Sequence, residues 1–272
     1  MQEGLIIFGP TASGKSALAV AEAAARGGVV IGADSRQIYR GLPIISACPT
    51  SADRAAAPHL LYEALEPDSP CSVGRWLALA ADALADCAGA YPVVVGGTGL
   101  YIKALLHGLP PIPEVPPVPE GCLAEVLAAD PSFRFRDPQR VARATAVLRH
   151  TGKPLAYWQG LAPVRVAPHI RWRVQVVNPP ADELAARIRC RVGAMVEAGA
   201  VEEAAEFRRR ALPSDLPAAR SIGLPELYGY LDGRWSLAEA EERLAASTRQ
   251  YAKRQRTWLR GQSADFAAEG EE

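Results

Sequence analysis

Residues 9–16, GPTASGKS, fit the phosphate-cradling pattern G-x-x-x-x-G-K-[ST] at every position. No other stretch narrows the possible folds so far, because the pattern works only between a buried strand and the start of a helix. Both flanks are present. LIIF (5–8) is a short apolar run ending in Gly-Pro, which reads as a buried strand, and SALAVAEAAAR, closed by Gly27-Gly28, reads as a helix. In that setting backbone N–H groups and the positive helix end surround an anion. Lys15 would touch the terminal phosphate and the Ser16 hydroxyl would ligate Mg²⁺. The pattern implies a diphosphate or triphosphate and leaves open what that phosphate carries.

Further along, VVIGADS (29–35) reads as a second strand with a polar end. A helical pattern follows over 73–87, then a third buried strand over 92–95 in PVVVGGTG, and another helix over 100–106. Alternating buried strands and helices predict a P-loop NTPase-like α/β core, a parallel sheet flanked by helices on both faces. Ligands of such sheets gather at the carboxyl ends of the strands. The loop, Asp34-Ser35 and the glycines of 96–99 all fall there, so they should converge on one site.

The composition then changes. LPPIPEVPPVPEG (109–121) carries six prolines and reads as an extended connector. Over 131–173 there are nine Lys/Arg against one acid, Asp137, whereas 1–100 carries six Lys/Arg against nine Asp/Glu. A chain of zero formal net charge can therefore still present a local footprint for RNA or DNA. DPQRVARATAVLRHTGKP is the clearest helix of the basic stretch, WRVQVVN (172–178) returns to strand character, and the remainder is helical with a break over 213–217. A frayed acidic tail is expected after Ala264. The expected organisation is a catalytic core over 1–108 and 172–272, with a basic helical insertion over 109–171.

Five scattered cysteines, never in C-x-x-C, and four histidines without ligand spacing fit reduced thiols and no zinc site. With no apolar run of membrane-spanning length and no signal segment, the expectation is a soluble cytoplasmic protein.

Three further patterns carry chemistry. Asp34 reads as a magnesium-organising acid, as a general base facing a second substrate, or as a cap of the following turn. Thr98 stands between glycines at a strand end, where an ordinary ATPase would prefer an acid, and glycines there permit close approach of backbone or ligand. On the helix over 182–198, Arg187 and Arg191 flank an apolar stripe of Leu184, Ile188, Val192, Met195 and Val196. The final helix, over 236–260, carries Arg249, Lys253, Arg256 and Arg260 at 4-3-4 spacing, opposite a packed face of Leu244, Tyr251 and Trp258. Four cations without an interspersed acid suggest a phosphate-contacting face.

In this order and at these separations, GPTASGKS, DSRQIYRG, VVVGGTGLY, DPQRVAR and STRQYAKRQRTWLR resemble the tRNA dimethylallyltransferase (tRNA isopentenyltransferase) family, over roughly residues 5–260. The phosphate loop alone is unspecific; its conjunction with DS-x-Q-x-Y, GGTGLY and AKRQ-x-TW is very specific. The resemblance implies transfer of a dimethylallyl group from its diphosphate to the exocyclic amino group of the adenosine 3′ of the anticodon, with Mg²⁺ and an anticodon stem-loop as partners. It places diphosphate contacts at Gly9, Thr11, Ala12, Ser13, Gly14, Lys15 and Ser16 and further along at Arg191. It makes Asp34 the general base and puts Thr98 in the channel where donor and acceptor meet. It places tRNA contacts at Asp34, Ser35, Arg36, Gln37 and Thr98, at Gln139, Arg140 and Arg143, and at Arg220 and Gly223. The last group is Lys253, Arg254, Gln255, Arg256, Trp258 and Arg260.

The chain departs from the family in three places. The insertion after Gly108 is shorter, PPVPEG lacks an arginine common there, and Ile222-Gly223-Leu224-Pro225 replaces I-G-Y before a basic residue. A P-loop small-molecule kinase and a non-catalytic RNA-binding module are the competing readings, and a monomer is the expected state.

Overall fold

In a computed structural model that describes residues 2–87 and 89–262, the phosphate loop joins strand β1 (Gln2–Phe8) to helix α1 (Lys15–Arg26). The chain continues through β2 (Gly28–Gly32), the short helices α2 (Pro43–Ser46) and α3 (Ser51–Ala56), the two-residue β3 (His59–Leu60) and α4 (Val73–Asp86). Strand β4 (Tyr91–Gly96) and helix α5 (Gly99–His107) follow, then α6 (Leu123–Ala129), α7 (Pro138–Thr151) and α8 (Leu155–Gln159). Strand β5 (Ile170–Val176) precedes the closing helices α9 (Ala181–Glu197), α10 (Ala200–Arg209), α11 (Leu224–Leu231) and α12 (Leu237–Gly261), with a 3₁₀ turn over Ala218–Arg220. The acidic tail expected to fray lies outside the described residues.

Among the described residues the strands form one parallel sheet in the order β3-β2-β4-β1-β5. The inner strands β1, β2 and β4 are apolar on both faces because helices cover both, as the unbroken LIIF and VVV runs require, whereas the edge strand β5 alternates and exposes Arg171 and Arg173. Leu5 and Ile7 pack with Ala19, Ala23, Val30, Val93 and Val95 on the α1 side. Ile6 and Phe8, one register step away, point to the other face and are equally buried. Trp76 is fully buried; its indole N–H donates to Gly32 O at 3.0 Å, and its ring stacks on Tyr101 at 4.6 Å.

Helix boundaries follow their caps. Gly14 ends the loop at φ 93° and starts α1, a left-handed conformation that few side chains tolerate. Asp137 caps α7 by accepting the Arg140 N–H at 3.1 Å, Pro138 opens it, and Gly152 closes it at φ 68°. Ser236 and Glu239 form a reciprocal capping box at the start of α12, worth on the order of 1 kcal/mol.

Residues up to Lys103 and from Ala167 form one compact unit, and Ala104–Val166 form a second. The second unit has its own small core of Val126, Phe133, Val141 and Ala144. The Thr145 hydroxyl is buried within it and accepts the Cys122 N–H at 2.9 Å, and a bridge between Leu109 and Val164 ties the chain ends together. In the first unit α9 and α12 share a cluster of Leu184, Ile188, Val192, Leu244, Ala245 and Ala252. Among the described residues no helix is long and apolar enough to cross a membrane.

Candidate active site

The loop after β1, the Asp34 turn after β2 and the Thr98 turn after β4 lie together because their strands are neighbours in one parallel sheet. Around them are two adjoining hollows that share Thr11, Asp34, Ser46 and Arg191. The first, about 460 Å³, is lined by loop residues from Thr11 to Ala17 together with Arg187, Cys48 and Asp53. The second, about 340 Å³, has an apolar wall of Ile45, Ile188, Val192, Met195, Ile222 and Leu244.

Each charged group at the first hollow is held. Lys15 Nζ donates to Pro10 O at 3.2 Å, and burial pushes its ammonium down to about 8, against the raising influence of Asp34 and with a further lowering by Arg191. Arg187 Nη1 donates to Ser13 O at 2.8 Å and passes beside Gly14. Arg191 Nη1 donates to Thr11 Oγ1 at 3.2 Å, and burial lowers its guanidinium from the usual value. Two arginines, a lysine and the start of α1 thus face one small volume, which suits a doubly phosphorylated anion.

Asp34 is both cap and site residue. Its Oδ1 accepts the backbone N–H of Arg36 at 2.9 Å and of Gln37 at 3.5 Å, while the residue lines both hollows. Thr98 stands beside it: its Oγ1 accepts the Ser35 N–H at 3.0 Å, and the Tyr251 side chain approaches it from α12. Cys48 also borders the first hollow, but burial pushes its thiol up to about 12, so it remains protonated and offers neither a nucleophile nor a good ligand.

The structure gathers Thr11 to Ser16, Asp34, Arg36, Gln37 and Arg191 around the hollows, all within the first compact unit. Ser35 and Thr98 line neither hollow, and Thr98 is tied to the Asp34 turn through the Ser35 N–H. Gly9 abuts Val177 O, where any side chain would collide with the neighbouring backbone. Arg36 Nη1 donates to Pro217 O, and the Gln37 amide donates to Ser46 O at 3.1 Å and Ala47 O at 2.5 Å, so both fix the surrounding loops. Arg220 and Arg254 stand on the rim of the second hollow, while Gly223 is buried before α11 with its N–H donated to Glu226 at 3.1 Å. Gln139, Arg140 and Arg143 lie in the other compact unit, exposed on α7.

On α12 the basic residues separate from their neighbours. Arg249, Lys253, Arg256 and Arg260 border a groove of about 410 Å³ floored by Leu184, Ile188 and Ala252. Gln255 and Trp258 turn inward instead. A Cβ on Gly97 would stand 2.2 Å from Gln255 Nε2, and one on Gly99 would stand 2.2 Å from the Trp258 ring. The glycines of GGTGLY therefore admit side chains of the final helix, and this motif and KRQRTW are the two halves of one contact. Sequence reading missed Ser46 and Ser221. The Ser221 hydroxyl is buried at the second hollow without a hydrogen-bond partner, and only its place between Arg220 and Gly223 signalled it.

The fold and this site define a P-loop protein in which an anion cradle opens beside a cleft with an apolar wall. The description "IPP transferase" matches residues 37–262 and "Isopentenyl transferase" matches residues 3–57. The chain belongs to the IPP transferase family. It is 47% identical to a tRNA dimethylallyltransferase of Rhodospirillum rubrum over 95% of this chain and 85% of that one. It is 43% identical to the tRNA dimethylallyltransferase of Rhodospirillum centenum, covering 96% and 89%. The crystal structure of the full-length tRNA isopentenylpyrophosphate transferase from Bacillus halodurans superposes with a TM-score of 0.70 at 31% identity, covering 96% of this chain and 87% of that one. A eukaryotic dimethylallyltransferase acting on tRNA shares the fold, with a TM-score of 0.81 at 24% identity over 95% and 70% of the two chains.

Proposed function

We propose that this chain is a tRNA dimethylallyltransferase, moving the dimethylallyl group of dimethylallyl diphosphate to the exocyclic amine of the adenosine 3′ of the anticodon. The observation that carries it is the shared wall: the diphosphate cradle and the apolar hollow meet at Thr11, Asp34 and Arg191. The wall of Ile45, Ile188, Val192, Met195, Ile222 and Leu244 suits a hydrocarbon chain, and the polar side with Ser46, Ser221 and Thr248 suits a base.

In the reaction the adenine amine attacks the primary carbon of the donor, the carbon–nitrogen bond forms and the carbon–oxygen bond to diphosphate breaks. Loop amides, Lys15, Arg187 and Arg191 receive the charge that accumulates on the departing diphosphate. Asp34, oriented by the Arg36 N–H, accepts or steers the amine proton. Thr98 and Tyr251 position the acceptor, and the base must be flipped from its stack at a cost of a few kcal/mol.

The donor set fits a hard divalent cation. Ser16 is exposed at the loop, Asp34 and Asp53 border the same hollow, and the protonated Cys48 leaves only oxygen donors. Among the described residues no cluster of three or more His, Cys, Asp or Glu could hold a metal, so most ligands would be phosphate oxygens and water. Mg²⁺ held by Ser16 would neutralise diphosphate charge.

We assign the exposed basic faces of α7 and α12 to the anticodon arm, with the insertion 109–171 as the module that grips it. A monomer is the proposed state, and the tRNA-modifying relatives support a cytoplasmic location. Incubation with labelled dimethylallyl diphosphate or ATP, with and without tRNA, tests the reading. Label on RNA supports it, ATP loss selects a kinase, and binding without turnover selects an RNA-binding module.

A further inference from the structure

Gln255 is only 6% exposed, and its carboxamide is used at both ends. Oε1 accepts the Thr11 N–H at 2.9 Å, and Nε2 donates to Gly97 O at 2.9 Å. The two partners extend from adjacent strands, β1 and β4, one at the mouth of the diphosphate loop and the other immediately before Thr98. Thr11 is gripped again through its hydroxyl by Arg191, and Thr98 holds the turn beside Asp34. One amide therefore spans the donor side and the acceptor side of the site.

The chemistry at this position is narrow. Thr11 presents a donor and Gly97 an acceptor, so the bridging group must accept at one end and donate at the other. A carboxylate would face Gly97 O with like charge, and a thioether would leave both backbone groups unpaired. Each neutral bond contributes little on its own, whereas a buried group left unpaired costs more. The larger consequence is geometric, because a displacement of about 1 Å between reacting partners can cost about 10²-fold in rate. The basic residues Lys253 and Arg256 lie on other faces of α12, toward solvent and the groove beside α9.

We propose that Gln255 is a positioning residue of the transfer reaction, setting the separation between the diphosphate loop and the Thr98–Asp34 side, and that it does not touch RNA. The inference rests on the proposed function for its substrates but on the geometry of α12 for its site.

The test uses the full chain and two variants, Gln255→Met and Gln255→Glu, with three readouts: affinity for inorganic pyrophosphate, kcat and KM for dimethylallyl diphosphate, and RNA affinity. Gln255→Met should weaken pyrophosphate binding and lower kcat by about 10- to 100-fold, with RNA affinity unchanged. Gln255→Glu keeps the Thr11 bond and loses the Gly97 bond, so it should lower kcat with a smaller change in pyrophosphate affinity. If Gln255→Met does not fold, this split in Gln255→Glu decides alone. Loss of RNA affinity with unaltered donor kinetics would make Gln255 an RNA contact and overturn the proposal. So would wild-type kinetics, or an equal loss in all three readouts. If the wild type fails to prenylate RNA at all, the functional reading falls, while the pyrophosphate comparison still tests the loop.

Discussion

The phosphate-loop hollow and the basic helix faces both present cations, yet they hold them differently. At the hollow, Lys15, Arg187 and Arg191 are each bonded to the loop they serve, and Asp34 is fixed by backbone N–H groups. On α12, Arg249 and Lys253 are exposed beside an open groove, and on α7 the cations have local partners. Arg149 pairs with Glu125 at 2.8 Å, Arg143 donates to Pro113 O at 3.3 Å, and Arg140 lies 4.5 Å over the Phe135 ring. Lys15 and Arg191 act through fixed geometry in a poorly solvated place, while Arg187, 45% exposed, is paired with Glu183 as well. A charge on a helix face acts through number and is screened by salt.

The contrast breaks most readily at Asp34. Asn at this position keeps an oxygen for the Arg36 N–H, so Asp34→Asn preserves the cap and removes the base. Turnover should fall by about 10² to 10⁴-fold with RNA affinity retained. Prenylation at the wild-type rate would reduce Asp34 to a turn cap. Arg191→Ala comes next, removing a charge-assisted contact of about 1.5–3 kcal/mol, so the donor KM should rise roughly 10- to 100-fold. Equal losses for donor and RNA would erase the distinction between the two regions.

Lys15 sharpens the comparison through pH. Its ammonium is depressed to about 8, so the free protein loses this charge as pH rises through about 8 instead of near the ordinary lysine value. A bound diphosphate favours the charged form, and binding above pH 8 therefore takes up a proton. Pyrophosphate affinity should be flat below that point and weaken by up to about tenfold per pH unit above it. A curve flat to pH 10 would place Lys15 in an unperturbed environment.

Much of this was legible in local sequence. The strand–loop–helix unit, the Asp34 turn and the apolar stripe of α9 each lie within one short segment, and periodicity and caps define such segments. What was not legible depends on distant pairings. The second hollow draws its wall from α2, α9, the segment before α11 and α12, so no single stretch announces it. Gln255 reaches Thr11 across 244 positions, and nothing in AKRQ-x-TW tells which polar residues face inward. Strand β3 is two residues long and gives no alternation to detect.

The smallest expected effect separates the two basic faces from each other. Each neutralised phosphate steepens the salt dependence of RNA binding by about 0.7 to 0.9 of a log unit per tenfold change in salt. Replacing Lys253 and Arg256 together with alanine should flatten that slope by about one to two units while leaving pyrophosphate affinity intact. Arg140→Ala with Arg143→Ala should flatten it less, by under about one unit. Arg143 already donates to Pro113 O and Arg140 already covers Phe135, so an arriving phosphate must displace existing contacts. The short insertion and the missing arginine in PPVPEG point the same way, toward α12 as the main electrostatic contact. Binding measured over a salt series for wild type and both double variants decides it. The reverse order of slopes would move the principal RNA contact to the second unit, and two unchanged slopes would leave both faces merely solvated.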